Sequence, residues 1–242
     1  MARTPEGRRL TELHRKQQLV LKTQVVRDVM RIFPAWQPRD PASYDAFAQA
    51  IVLLVKSRSV QSAALAAHYF DLFRTVETGT GIAHMATLAP GPTAEHILKS
   101  LSATSRGALF RAFAAGQSYE QAMANTAVQV SGSVSRLVGN TGRDTILSAT
   151  RADGQAQGWA RATGGNPCAF CAMLASRGPA YREESVEFQA HDHCQCYAEP
   201  VYEGSEWPPG SREFQELWQT STPPGQATTL NDFRRAIEGR AV

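Results

Sequence analysis

The chain has 242 residues, of which 43% are hydrophobic and 19% charged, and its formal net charge is +3 at pH 7. This composition argues against a disordered chain, and the length is enough to bury the core of one large or two small domains. The apolar run from Ala50 to Val55 is far shorter than the roughly 18 residues of a membrane span, and the N-terminus has no secretory signal pattern. We therefore expect no membrane partner and synthesis in a reducing cytoplasm.

The first predicted element is a long basic helix. Apolar residues recur near a 3.6-residue period from Pro5 to Phe33, and Pro34 should end the helix. Residues 1–31 carry eight Lys or Arg against three acids, which suits an acidic partner surface or nucleic acid. A solvated amphipathic helix is the simpler interpretation of the same charges.

Two further helices are predicted before a loop. Asp40 and Pro41 form a cap and first-turn pair for a helix that extends to about Lys56. Ser59 can cap another helix, which ends at Gly79. The segment 78–92 is rich in Gly, Thr and Pro, and this predicts a hinge between an N-terminal helical region (1–90) and a core (91–203).

Helices are expected to resume at Thr93. Residues 118–121 match a capping box, and residues 141–144 match a looser version of it. The second match predicts a separate small-residue helix from Gly142 to Thr163, which ends at Gly164 and Gly165.

After this helix the sequence predicts short extended segments and turns. The cysteine-rich lobe spans residues 166–200, and a tail with two short helices, around 213–219 and 231–239, occupies 204–242. The predicted fold is mainly α, with a helical N-terminal two thirds followed by a small irregular α+β lobe containing Cys and His.

All four cysteines lie in this lobe, at Cys168, Cys171, Cys194 and Cys196. The C-x2-C pair places two thiols on one turn, and alternate residues of an extended strand face the same side, so all four sulfurs can converge on one ion. Zinc suits four soft ligands in tetrahedral geometry, and His191 or His193 could replace one cysteine.

Two other interpretations of the cysteines remain open. In a cysteine hydrolase, Cys171 (or Cys168) would be the nucleophile and His193 (or His191) the base, with Asp192 or Glu199 orienting the base. Alternatively, the thiols stay reduced or form disulfides late, and packing alone holds the lobe together.

The cysteine segment resembles a known family of phage proteins. The runs "NPCAFCAMLASRGPAY" and "HDHCQCYAEPVY", with Arg151 upstream, resemble the minor head proteins of tailed bacteriophages, the group of phage Mu protein F, and most of all the version from actinobacterial phages and prophages. The resemblance covers roughly residues 141–202, and the matching positions are Trp159, Cys168, Cys171, His191, Cys194, Cys196 and Pro200.

The resemblance implies a structural minor capsid protein inside the head that acts in procapsid assembly or DNA delivery. Its implied partners are the portal protein, the major capsid or scaffold protein and, through the basic first helix, packaged DNA. Members are often labelled capsid maturation proteases, so the alternative function is a cysteine protease that cleaves scaffold or capsid protein. The sequence itself supports no protease.

Overall fold

The structure, a computed structural model, describes residues 2–81, 86–164, 167–179, 188, 190–208, 210–223 and 225–240. The helices and strands follow in chain order: α1 (Pro5–Ile32), α2 (Pro41–Thr78), α3 (Ala94–Thr104), α4 (Arg106–Ala114), α5 (Tyr119–Ala152), β1 (Gly158–Ala162), α6 (Ala169–Ala175), β2 (Tyr197–Val201), α7 (Ser211–Thr220) and α8 (Leu230–Arg240). The predicted fold class, mainly α with a small irregular lobe, is confirmed.

Helix α1 begins and ends where the sequence predicts. The Thr4 side chain caps it by accepting a hydrogen bond from the Gly7 amide at 2.9 Å, and Pro5 occupies the first turn, where a missing amide proton has no consequence. A single 3₁₀ turn over Phe33–Ala35 follows the helix.

Helix α2 is one continuous helix, so the predicted break between Lys56 and Ser59 is wrong. Asp40 caps its start, and Gly79 ends it in the left-handed conformation (φ 69°), both as predicted. No Gly or Pro interrupts the helix near Ser59, and this serine is buried against Gly91, where a Cβ would lie 3.2 Å from the Ser59 Cβ. Ser59 therefore makes a packing contact and does not cap a helix.

Helix α5 is also continuous, and it ends earlier than predicted. The capping box at Ser118 and Gln121 is confirmed, but Thr141 and Gly142 lie buried within the helix and start no new one. The predicted helix to Thr163 is wrong, because residues 158–162 form β1. Strand β1 pairs antiparallel with β2, and this long-range pairing overrides the helical preference of its alanines.

The long helices α1, α2 and α5 pack around the largest hydrophobic core of the described residues, and a second cluster joins α2 and α5 to the cysteine lobe. Val25, Phe47 and Val138 contribute one side chain from each helix, and Ile97 and Leu109 add the layer of α3 and α4. The core therefore takes residues from both sides of the predicted boundary at 90/91. Residues 82–85, in the middle of the predicted hinge, lie outside the described residues.

Among the described helices, α2 is long and apolar enough to cross a membrane by length and composition. Many core helices of soluble proteins share that property. The α2 side chains of Phe47, Ile51 and Phe70 are fully buried within the protein.

Two buried carboxylates hold the beginning of the chain against the rest. Glu77 accepts hydrogen bonds from the amides of Arg3 (2.7 Å) and Thr4 (3.0 Å), while Glu199 accepts from the Ala2 amide and the Thr11 hydroxyl, both at 2.8 Å. Buried carboxylates are costly unless they are hydrogen-bonded, so these contacts fix the start of α1 against both α2 and β2.

The C-terminal helices α7 and α8 confirm the two short helices predicted in the tail, each slightly longer than expected. They pack on α6 through Leu217 and Phe233, which contact Ala169 and Ala172. The tail thereby covers the short helix that carries the first cysteine pair. Residues 180–187 and 189, part of the lobe for which short extended pieces are predicted, lie outside the described residues.

Candidate metal site

The first two thiols are positioned by the start of α6. Cys168 is the residue that caps the helix, and its sulfur accepts a hydrogen bond from the Cys171 amide at 3.5 Å. A capping side chain folds back over the first turn, so it brings the Cys168 and Cys171 sulfurs to the same end of the helix. Cys168 is exposed, whereas the Cys171 side chain is only 2% exposed.

The second group of ligands lies on the loop before β2, which packs closely on α5. A Cβ added at Gly132 would fall 2.5 Å from the His193 Nε2 atom, so this glycine allows the loop to approach. His193 itself adopts a left-handed conformation (φ 62°), and Asp192 accepts a hydrogen bond from the Arg136 Nε atom at 2.7 Å. These contacts determine the path of the chain from His191 to Cys196.

The two groups meet in one cluster with Cys171 at its centre. In the described part of the chain, Cys171 belongs to two sets of three potential ligands within 4.8 Å, one with Cys168 and His191 and the other with Cys194 and Cys196. The Cys171 and Cys194 sulfurs are 3.7 Å apart, and the His191 Nε2 atom lies 3.4 Å from the Cys171 sulfur and 3.0 Å from the Cys168 sulfur. The cluster could hold a metal ion.

The sulfur–sulfur separation is close to that of two thiolates that share one ion, and the two sulfur–imidazole separations are shorter than a shared ion would set them. Two thiolates about 2.3 Å from a tetrahedral zinc have sulfurs about 3.8 Å apart, and a thiolate and an imidazole are separated by about 3.6 Å. The His191 Nδ1 atom donates a hydrogen bond to the Asp192 carbonyl oxygen at 2.6 Å, which leaves the Nε2 lone pair facing the sulfurs. Histidines that bind metals are typically oriented by such a bond.

Three cationic side chains surround the cluster. Arg143 donates to the carbonyl oxygens of Cys196 (3.0 Å) and Cys194 (3.1 Å), and Lys22 donates to the Cys194 carbonyl at 2.9 Å. The Arg161 Nη1 atom lies 4.0 Å from the Cys171 sulfur. Arg143 and Arg161 are almost fully buried, and buried cations require nearby negative charge, which thiolates would supply.

The ionisation of the thiols follows from these neighbours. Hydrogen bonds from the Cys171 and Cys196 thiols, together with the nearby Arg143, lower the pKa of Cys194. Hydrogen bonds to Cys194 and Cys196, followed by burial, raise the pKa of the Cys171 thiol. Burial, and then Arg143, lowers the pKa of Lys22 to about 7. Among the three buried thiols, these neighbours favour the thiolate form at Cys194.

The residues of the alternative catalytic set lie in different surroundings. His193 belongs to neither ligand set among the described residues, and the histidine beside Cys171 is His191. Asp192 contacts Arg136, and Glu199 holds Ala2 and Thr11, so each carboxylate already has another partner.

Trp159 and Pro200, two positions of the family resemblance, face each other in the pairing of β1 with β2. The Trp159 ring stacks on Phe188 at 5.4 Å between centroids, and the Arg161 guanidinium lies 3.7 Å from the Phe188 ring centroid. Both residues thus help to build the lobe beside the thiols.

Sequence reasoning missed the cations Lys22, Arg143 and Arg161 as parts of the site. The one available signal was Arg143, a charged residue inside a run of small residues. Lys22 belongs to the basic first helix, but it is partly buried and contacts the cysteine loop. Other α1 cations, among them Arg9, Lys16 and Arg31, are exposed and paired with acids of the same helix.

The fold and the cluster define a mainly helical protein with a small lobe whose cysteines and histidine could bind a metal ion. The model of the VG15 protein family, a family of viral proteins, matches residues 5–221, and the chain belongs to this family. Comparisons with curated proteins and with solved structures give no match.

Proposed function

We propose that the chain is a structural minor head protein of a tailed phage, of the phage Mu protein F-like group. It would act inside the capsid, next to the portal, in procapsid assembly or DNA delivery. Membership of a viral family and the lobe motif shared with minor head proteins support this function. The portal and the major capsid or scaffold protein are the proposed partners, and contact of α1 with packaged DNA stays a prediction.

The observation that carries the proposal is the burial of three of the four cysteines. Cys171, Cys194 and Cys196 are buried and face each other, and α7 and α8 cover the other side of α6. A nucleophile needs space for a substrate beside it, whereas a structural metal site is closed. The arrangement therefore favours a structural lobe over a peptidase that uses Cys171.

Zinc is the ion that we propose for the cluster, because thiolates and imidazole are the ligands that it prefers for structural sites. Cys171 would be the central ligand, because it belongs to both sets of three, and the other ligands would come from Cys168, His191, Cys194 and Cys196. Bound zinc would keep the ligands deprotonated and join α6 to the loop before β2.

The functional test is coassembly. The chain would be expressed with the portal, scaffold and major capsid proteins of the same phage, and particles would be separated on a density gradient. We expect the chain to sediment with procapsids and Cys171→Ser to abolish this. His193→Asn, which suits the left-handed backbone, should incorporate normally and leave the capsid proteins at their usual lengths.

The protease alternative predicts that Cys171→Ser stops cleavage of scaffold or capsid protein, whichever histidine is the base. His193→Asn should also stop cleavage if His193 is the base, and should leave it unchanged if the base is His191, the histidine beside Cys171. A loss of processing in Cys171→Ser, or absence of the wild-type chain from procapsids, would contradict the structural proposal.

A further inference from the structure

A second feature lies far from the cysteines, where the first turns of α2 and α5 meet α4. A groove of about 550 Å³ is lined by aromatic and apolar side chains, including Tyr44, Phe110, Phe113 and Tyr119. The exposed fractions of the last three are 74%, 45% and 43%. The volume falls within the range of about 300–1,000 Å³ that is typical of binding clefts.

Exposed aromatic residues that are clustered in this way usually mark a binding surface. Phe113 and Tyr119 stack at 6.4 Å between ring centroids, although they belong to different helices. The wall of the groove is well anchored, because Trp36 and Tyr44 belong to the hydrophobic core of the helical body. The exposed rings therefore rest against buried residues of the core.

The charges at the groove are unbalanced. Arg39 and Arg106 are exposed cations of the lining, and the Arg106 guanidinium lies 3.5 Å from the Tyr44 ring centroid. The carboxylate in the lining, Asp40, accepts a hydrogen bond from the Ala42 amide at 3.0 Å and stabilises the start of α2. The surface offered to a partner is thus aromatic with a positive rim, and its complement is apolar with a negative rim.

We propose that this groove binds an acidic segment of a partner protein, with one or two large apolar side chains inserted beside Phe110 and carboxylates paired with Arg39 and Arg106. The inference rests on the proposed function only in that the chain would act by binding other proteins. It names the chemistry of one such partner and the surface that receives it.

The groove and the cysteine cluster can be tested separately. Tyr119 lies at the start of α5 and Gly139 lies beside the lobe, a separation of about 30 Å at 1.5 Å per residue. Groove variants should therefore leave metal content unchanged, and failure of the groove proposal is distinguishable from failure of the proposed function.

The probe is a random library of 12-residue peptides displayed on yeast and selected with the intact chain. We expect enrichment of peptides that combine Asp or Glu with Trp, Phe or Leu. In fluorescence anisotropy, Phe110→Ala and Arg106→Glu should each weaken the best peptide by about tenfold or more. Leu53→Ala and Lys56→Glu, matched changes at exposed positions outside the groove, should not alter binding.

Three outcomes would overturn the proposal. The first is enrichment of neutral or basic peptides, or of no peptide at all. The second is a best peptide that binds Phe110→Ala and Arg106→Glu as tightly as the unmodified chain. The third is sedimentation without peptide that reveals dimers abolished by Phe110→Ala, in which case the groove binds a second copy of the chain.

Discussion

The helical body and the cysteine lobe achieve order by different physical means. The body buries large side chains such as Phe47, Ile51 and Leu137 between three long helices, so hydrophobic burial stabilises it. The lobe has one two-stranded sheet and one short helix among its described elements, and its buried thiols share a smaller hydrophobic cluster with Phe70 of the body. Because these elements of the lobe are few and short, we expect the lobe to need a bound ligand for its stability and the body to need none.

The largest effect on the lobe alone is expected from substitution of Cys171, the residue that both ligand sets share. Cys171→Ser should reduce bound zinc from about one ion per chain to nearly none. Because metal-binding free energy is folding free energy in such lobes, the lobe should lose several kcal/mol of stability. Limited proteolysis should then cut the lobe and leave the α1, α2 and α5 body intact. Zinc retained by Cys171→Ser would show that the ligand set is wrong.

Phe47→Ala should act on the body alone. Phe47 is fully buried, and its ring stacks on Trp36 with 5.7 Å between centroids. Removal of a buried phenylalanine costs about 3–5 kcal/mol, which chemical denaturation would measure as a lower midpoint. The folded variant should keep its zinc, and Leu53→Ala at an exposed position of the same helix should change stability by less than about 0.5 kcal/mol.

The pH dependence of stability should report on His14, which stacks on Tyr69 within the body. Burial, and then the charge of Lys22, lowers the pKa of His14 to about 3 from an ordinary value of 6.5. Between these values the unfolded chain binds more protons, so the contribution is complete above pH 6.5 and is lost as the pH falls towards 3.

Unfolding measured at several pH values should show a slope from His14 of up to about 1.4 kcal/mol per pH unit in that window. His14→Phe keeps an aromatic ring and should remove that slope. The matched variant His68→Gln, at an exposed histidine of α2, should retain it. An unchanged slope in His14→Phe would show that His14 is not the group responsible.

The smallest effect is expected at the ion pair of Arg136 and Asp192, which joins α5 to the cysteine loop. Both side chains are partly exposed, at 23% and 36%, so solvent screens their attraction. Arg136→Met should lower the free energy of unfolding by less than about 1 kcal/mol and should leave zinc content unchanged. A loss of zinc would mean that this pair positions His191.

Local signals in the sequence predicted where the helices of the body begin. Features that depend on long-range contacts were not predicted. The caps at Asp40 and Ser118 depend on neighbouring residues, and both are confirmed. The burial of Ser59 against Gly91 and the pairing of β1 with β2 both depend on residues that lie far along the chain. Neither contact is visible in a local pattern.

The spacing of the cysteines predicted that thiols would cluster, because C-x2-C and C-x-C each bring two sulfurs together. The choice of His191 over His193 depends on the turn at His193, and the role of Arg143 depends on how α5 meets the loop. Both depend on three-dimensional packing, and no short motif in the sequence predicts that packing.

The most direct test of the central claim is the metal content of the purified chain, measured together with the thiols that react before and after chelation. If the cysteines form a structural metal site, mass spectrometry and elemental analysis should find about one zinc per chain. No thiol should then react rapidly before chelation, and all four should react after it. A metal-free chain in which one thiol reacts much faster than the others at neutral pH would contradict the account and would favour a catalytic cysteine.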